Sequence, residues 1–414
     1  MNIISKNNHI RYIIEKNKNK NICLMLRINV GSRDEPEEIN GISHLLEHIF
    51  FRGSKLYPTD KDIESKIYSC GGEFNAYTGI EETVYYITGH KECLEDYIKI
   101  LSDCYYHSLL EPKVIEGEKK IVLNELYDLE SDIQSLLFIE NQKISFQNIP
   151  LGLDAAGSYK TVHNVTRDIL CNFLNMFYSK QVILSLSGDI SLQKSEKLLN
   201  TYFQKQIHYP VKKNYHFSPR KLYPNILLNQ TKGKIHFIQD NSKQSFILLS
   251  FPSVKYSDLK QKYTINIISQ LLTGYMGSIL YKLLRSKENL IYHIQSVNNT
   301  YEDYGQLDID TSVLNKKLQV NQCIKLILDT LYQLDKYITD KDINDSKEFI
   351  IHNLEFDYKD SYKVSEINLK DLYYLQKKIS LKYKIKLYQS ITKREIINTC
   401  KKIFQPHLCV LCYS

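Results

Sequence analysis

Two hydrophobic periods alternate along the chain. Residues 42–50, "ISHLLEHIF", set Ile42, Leu45, Leu46, Ile49 and Phe50 at helical spacing, with Gly41 and Ser43 at the N-cap end and Gly53 closing the segment. The same spacing runs through "CLEDYIKILSDCYYHSLL" (93–110) and "KVIEGEKKIVLNELYDLESDI" (113–133). Between these lie stretches rich in β-branched and aromatic residues. "ICLMLRINV" and "EFNAYTGIEETVYYITG" (73–89) read as strands, and the opening "IISKNNHIRYIIEK" reads as a strand pair around a polar turn. Interleaved hairpins and helix pairs predict an α+β fold with largely antiparallel sheets.

A rough repeat divides the chain. "ICLMLRINV" leads through an acidic loop to the helix at 42–50, and "SFILLSFP" leads through a loop to "INIISQLLTGYMGS". Aligning Leu45-Leu46 with Leu271-Leu272 sets Gln270 against His44, Thr273 against Glu47 and Gly274 against His48. The second copy keeps the apolar frame and lacks the polar triplet, so the fold itself does not require that triplet. The stretch 206–225, "QIHYPVKKNYHFSPRKLYPN", has prolines, basic residues and little periodicity. It reads as a connection, giving domains at 1–205 and 223–414 joined by a linker at 206–222.

Composition narrows the classes. A chain of 414 residues can build two or more cores. The formal charge of +7 is modest, and 54 basic residues are spread among 47 acids, so no nucleic-acid footprint is expected. No apolar run is long enough for a transmembrane helix, and the N-terminus lacks the apolar core of a signal peptide. An intracellular, cytoplasmic protein is expected, with an organelle left open. Nine scattered cysteines in mostly apolar surroundings read as buried free thiols of a reducing compartment. Cys409-x-x-Cys412, in "HLCVLCYS", reads as strand residues, its further role left open.

The apolar helix at 42–50 carries an unusual polar set. His44 and His48 are four apart and share a face, with Glu47 beside it. In the segment 113–133, Glu118 and Glu125 are seven apart, with Ile121 and Val122 on the same stripe. A carboxylate in an apolar stripe is costly unless it is paired or bound to metal. Two histidines, the Glu125 carboxylate and an open water position make a catalytic zinc arrangement. Glu118 is then a neighbour able to orient a histidine, and Glu47 is free to act as general base. His90, His107, His163 and His216 read as ordinary core or surface histidines.

Together these residues carry a resemblance. "HLLEH" (44–48) is the His-x-x-Glu-His pattern of the inverzincins, and the glutamate pair follows at the right distance. The chain resembles the pitrilysin/insulinase family of zinc metallopeptidases, which includes mitochondrial processing peptidases and bacterial short-chain members. "GGEFNAYTGIEETVYY" (71–86) is similar to that family's Gly-Gly-x-x-Asn-Ala-x-Thr strand. "LLRSKENLIYHIQS" supplies Arg285 and Tyr292, seven apart, although the family's Gly-Leu-Ala-Tyr reads "NLIY", with Asn289 and Ile291 in place of small residues.

The resemblance implies two homologous α/β domains enclosing a chamber. It implies one zinc ion per chain, held by His44, His48 and Glu125, with Glu47 activating a zinc-bound water and Glu118 supporting from behind. Asn75 and Ala76 would hold substrate backbone by strand addition, and Arg285 and Tyr292 would steady substrate and the developing oxyanion. The implied activity is zinc-dependent endopeptidase cleavage of peptides or of unfolded, presequence-like segments. The implied assembly is a homodimer or a pairing with a related subunit. The competing expectation is a non-catalytic structural subunit of the same fold. Such subunits lack part of the set, and here His44, Glu47, His48 and Glu125 all stand.

Overall fold

The computed structural model describes residues 2–7, 10–180, 182–223, 234–239, 243–314, 316–405 and 408–413. The chain forms two compact units, each discontinuous in sequence. The first holds 1–128, 149–221 and 356–378; the second holds 129–148, 222–355 and 379–414. No linear division of the chain yields these units, because one helical segment from each half belongs to the unit built by the other.

The first unit is built on β1 (Asn2–Asn7), β2 (Ile10–Lys16), β3 (Asn21–Ile28), β4 (Glu73–Thr78), β5 (Thr83–His90) and β6 (Val182–Gly188). Their order is β1-β2-β6-β3-β5-β4. β2 and β6 run parallel and every other pair is antiparallel. The predicted opening strand pair and the hairpin at 73–89 are both present. Strand alternation gives the sheet two apolar faces. One takes helix Ser361–Tyr374, whose Leu369 and Leu372 pack on Ile13, Cys23, Met25, Val84 and Ile183. That contact also carries hydrogen bonds: Ser365 Oγ donates to the Cys23 carbonyl at 3.1 Å, and Asn368 Nδ2 to Glu15 Oε2 at 2.8 Å. Helix Ile42–Phe50 packs elsewhere on the sheet, with the Phe50 ring stacked on Tyr85 of β5.

The second unit is built on β7 (Lys234–Gln239), β8 (Gln244–Pro252), β9 (Ile291–Thr300), β10 (Gly305–Leu314) and β11 (Leu408–Tyr413), ordered β7-β11-β8-β10-β9. Helix Ile133–Ser145 sets Leu137 against Leu248 of this sheet. The order β4-β5-β3-β6-β2 is matched by β9-β10-β8-β11-β7, including the single parallel pair in each. The repeat read from sequence is therefore a repeat of topology. Its second helix spans Leu259–Thr273, so Gly274 lies just past the helix end, and Leu45, Leu46, Leu271 and Leu272 are all buried.

One expectation about the cysteines is corrected. Cys70 and Cys93 form a disulfide, with their Cα atoms 6.1 Å apart. The β4–β5 hairpin lies between them in sequence and folds back, so it returns the chain from Cys70 to Cys93. This pairing removes the cysteines as an argument for a reducing compartment. Cys23, Cys104, Cys171, Cys323 and Cys400 are free and buried, as expected. Cys409 and Cys412 lie in β11, and their side chains fall outside the described residues. Among the described residues, no helix is long and apolar enough to cross a membrane.

Candidate metal centre

The histidine helix, Ile42–Phe50, starts at Gly41, whose φ of 95° is costly for other residues. A Cβ there would also meet the Ala156 carbonyl at 2.7 Å. Glycine has no side chain to cap the helix, and Glu35 caps it instead. Its Oε2 accepts from Gly41 N and Asn40 Nδ2, each at 2.7 Å, and its Oε1 accepts from Ser43 N at 2.8 Å. Complete burial pushes the Glu35 carboxyl up to about 7, against the pull of those hydrogen bonds. Downstream, Ile42, Leu45, Leu46, Ile49 and Phe50 are all buried, leaving His44, Glu47 and His48 on the opposite, partly open side.

The second component is the glutamate helix, Pro112–Ser131. Its buried stripe is Ile115, Glu118, Lys119, Val122 and Leu126. This corrects the expected stripe in two places: Ile121 faces outward at 40% exposure, and Glu125 sits at the stripe's edge with 43% of its side chain exposed. The stripe is rotated toward Lys119 and Leu126, so residue 125 falls on its margin and residue 121 outside it.

The two helices converge. His44 Nε2 and His48 Nε2 are 3.3 Å apart, and Glu125 Oε2 lies 3.5 Å from the first and 3.4 Å from the second. Ligands bound tetrahedrally at about 2.0–2.2 Å from a zinc ion stand roughly 3.3–3.6 Å apart, so this triangle fits zinc without rearrangement. Two imidazoles and one carboxylate are also its ordinary donor chemistry. Behind His48, Nδ1 lies 3.4 Å from Glu118 Oε2, and Glu118 Oε1 is held by Arg52 Nε at 2.8 Å. This chain directs His48 Nε2 toward the ligand triangle. Among the described residues, His44 Nδ1 is buried without a hydrogen-bond partner.

Electrostatics separate the two imidazoles. Burial, and then the neighbouring His48, pull His44 down to about 4. Burial also pulls on His48, but contact with Glu118 and the charges of Glu125 and Glu47 outweigh it and leave His48 above its ordinary value. Glu47 does not join the triangle. Its Oε2 accepts from Thr78 Oγ1 of β4 at 2.5 Å. Burial raises its pKa, opposed by that hydrogen bond and by His48.

Asn75 and Ala76 lie on β4, an edge strand of the first sheet, paired with Tyr86 and Tyr85 of β5. Arg285 and Tyr292 belong to the second unit. There the Arg285 guanidinium lies over the Tyr292 ring, 4.9 Å from its centroid, and Nη1 donates to the Ile291 carbonyl at 3.0 Å. Tyr292 is 77% exposed. Asn289 adopts φ 51°, a left-handed conformation that asparagine tolerates well, so it serves where the family has glycine.

Residues 11–158 match the sequence family described as insulinase (peptidase family M16), and residues 164–349 match its partner described as the peptidase M16 inactive domain. The chain belongs to the insulinase family, M16. A protein named an uncharacterized zinc protease from Rickettsia felis is 28% identical over 389 residues, 92% of this chain and 90% of that protein. The Bacillus subtilis zinc protease YmxG is 28% identical over 82% of this chain and 80% of its own length. The beta subunit of the Neurospora crassa mitochondrial-processing peptidase is 27% identical over 67% of this chain and 59% of its own. A crystal structure of a Helicobacter pylori protease has the same fold, with a TM-score of 0.89 at 18% identity, covering 100% of this chain and 99% of that one.

Three residues at this M16 site escaped the sequence reading. Glu35 and Arg52 belong to no periodic pattern, although a helix opening on glycine signals that its cap must come from elsewhere. Thr78 stands inside the quoted strand motif but gave no sign of its partner.

Proposed function

We propose that this M16 protein is a zinc metalloendopeptidase that hydrolyses peptide bonds in peptides and unfolded, presequence-like segments. The observation that carries this reading is the convergence of His44 Nε2, His48 Nε2 and Glu125 Oε2, with Glu47 on the same helix but outside the triangle. His44, His48 and Glu125 would hold one zinc ion, which when bound supplies a Lewis acid that polarises a carbonyl and acidifies water.

Glu47 takes the proton from the attacking water and delivers it to the leaving amine nitrogen. Glu118, backed by Arg52, keeps His48 turned. Asn75 and Ala76 lie on β4, an edge strand among the described residues, and offer it to substrate backbone, which binds as an added strand. Arg285 and Tyr292 steady substrate and the charge developing on its carbonyl oxygen. In this assignment, 1–205 carries the metal chemistry, 206–222 connects, and 223–414 contributes Arg285 and Tyr292. In this reading the chain works as a homodimer or beside a related subunit, as the name of the processing-peptidase beta subunit suggests for that relative. The non-catalytic reading is set aside because all four residues of the metal and base set are present.

The test is metal analysis of the purified protein together with mass-spectrometric mapping of cuts in a peptide mixture. About one zinc per chain and discrete cuts, both lost on chelation, support the proposal. A metal-free chain that cleaves equally well contradicts it.

A further inference from the structure

Thr78 ends the strand that presents Asn75 and Ala76, and its hydroxyl donates to Glu47 Oε2 at 2.5 Å. Among the described residues this is the side-chain hydrogen bond the Glu47 carboxylate makes, so one oxygen is held and Oε1 is left free. The donor itself is firmly placed. Thr78 leads into the turn 79–82, where Gly79 N donates to the Glu82 carbonyl at 2.8 Å. Ser32 N and Arg33 N donate to the Gly79 and Ile80 carbonyls, each at 3.1 Å. Glu81 is paired with buried Arg33 at 2.5 Å, and Glu82 with fully buried Arg27. Gly31 fits beneath the turn so tightly that a Cβ there would come within 2.3 Å of the Gly79 carbonyl. Threonine's branched side chain is also restricted at χ1, which limits the directions its hydroxyl can take.

The second repeat supplies a comparison. Thr273 aligns with Glu47, and its Oγ1 lies 2.6 Å from Ser296 Oγ of β9, which is the matching edge strand. A hydrogen bond from helix to edge strand is thus a feature of the repeat. In the first repeat its acceptor is the carboxylate of the base.

Resting on the reading of Glu47 as general base, we propose that Thr78 is a positioning residue: it fixes Glu47 Oε2 so that Oε1 faces the reacting water. One strand then carries both the substrate-binding edge and the group that aims the base. Substrate added along β4 and the proton acceptor are placed by the same backbone.

The test uses the full-length, zinc-loaded chain and a fluorogenic peptide that the parent cleaves. Thr78→Val removes the hydroxyl and keeps the shape. Loss of a hydrogen bond to a charged group predicts a fall in kcat of roughly 10- to 100-fold, with KM, zinc affinity and Tm unchanged. Thr78→Ser should recover most of the rate, and a crystal structure of Thr78→Val should show the Glu47 carboxylate turned away. Should Thr78→Val not fold, Thr78→Ala takes its place in each measurement. Parent-like kcat in Thr78→Val, an unmoved Glu47, or equal impairment of the valine and serine variants would overturn the proposal. Glu47→Gln, run beside them, separates the two readings. If it is inactive while Thr78→Val is normal, only the role of Thr78 fails; if it is fully active, the base assignment fails as well.

Discussion

Single residues decide the chemistry, and here they were unevenly legible. His44, Glu47 and His48 stood out because they interrupt a helix whose apolar positions account for its packing. Glu125 was found by helical phase, although it lies at the margin of the buried stripe rather than within it. Glu35 and Arg52 act through tertiary contacts that no local pattern reports. His44→Ala, His48→Ala and Glu125→Gln should each lose most zinc in chelator-competition titrations, while Glu118→Ala, which releases His48 Nδ1 and the Arg52 guanidinium but removes no ligand, should weaken affinity by about 10- to 100-fold. Retention of parent affinity by all three ligand variants would undo the ligand assignment.

A different residue contributes a pH dependence of stability. Asp308 of β10 is buried and accepts from Gln306 Nε2 at 2.8 Å and Asn299 Nδ2 at 3.2 Å, yet burial still raises it from 3.8 to about 6. Its folded value exceeds its unfolded one, so its contribution to stability is fully present below about 4 and is lost as pH rises through about 6. Denaturant midpoints should therefore show Asp308→Asn gaining on the parent between pH 4 and 7 and holding a constant difference above that. A difference that does not change with pH would show that Asp308 titrates normally.

Elements were more legible than residues. Strand pairs, the histidine and glutamate helices and the repeat all followed from period and turn chemistry, because each element buries a face that must match its own geometry. The Cys70–Cys93 link did not, since two cysteines separated by a hairpin give no sign of pairing until the hairpin is folded. It closes a loop with a sequence separation of 23, for which chain entropy predicts about 3 kcal/mol of stabilisation. Non-reducing peptide mapping should recover Cys70 joined to Cys93, and Cys93→Ser should lower Tm. Recovery of both as free thiols from protein kept oxidised would remove the link.

The remaining element is the turn from Arg285 to Tyr292. Tyr292→Phe removes one exposed hydroxyl and keeps the ring under the guanidinium, so kcat should fall on the order of 10²–10³ with Tm unchanged if that hydroxyl stabilises the transition state. Unchanged kcat would return Tyr292 to a structural role.

The whole molecule was legible as two repeats but not as two interleaved units. The exchange of 129–148 and 356–378 depends on which sheet face each helix covers, and amphipathic spacing does not name the partner sheet. A fragment of residues 1–221 lacks helix 361–374 and leaves Ile13, Met25, Val84 and Ile183 uncovered, so it should aggregate or lose near-UV circular dichroism. Co-expression with 222–414 should restore a folded complex. A fragment 1–221 that unfolds cooperatively on its own would show that the exchanged helix is dispensable.

The central claim is that a zinc ion on His44, His48 and Glu125 works with Glu47 as the base. Zinc content and peptide cleavage, measured side by side on the parent and Glu47→Gln, test it most directly. The account predicts about one zinc in both proteins and a rate lower by on the order of 10²–10⁴ in the variant, because only proton acceptance is removed. Cleavage by Glu47→Gln at the parent rate, or its loss of zinc, would contradict the division of roles between base and ligands.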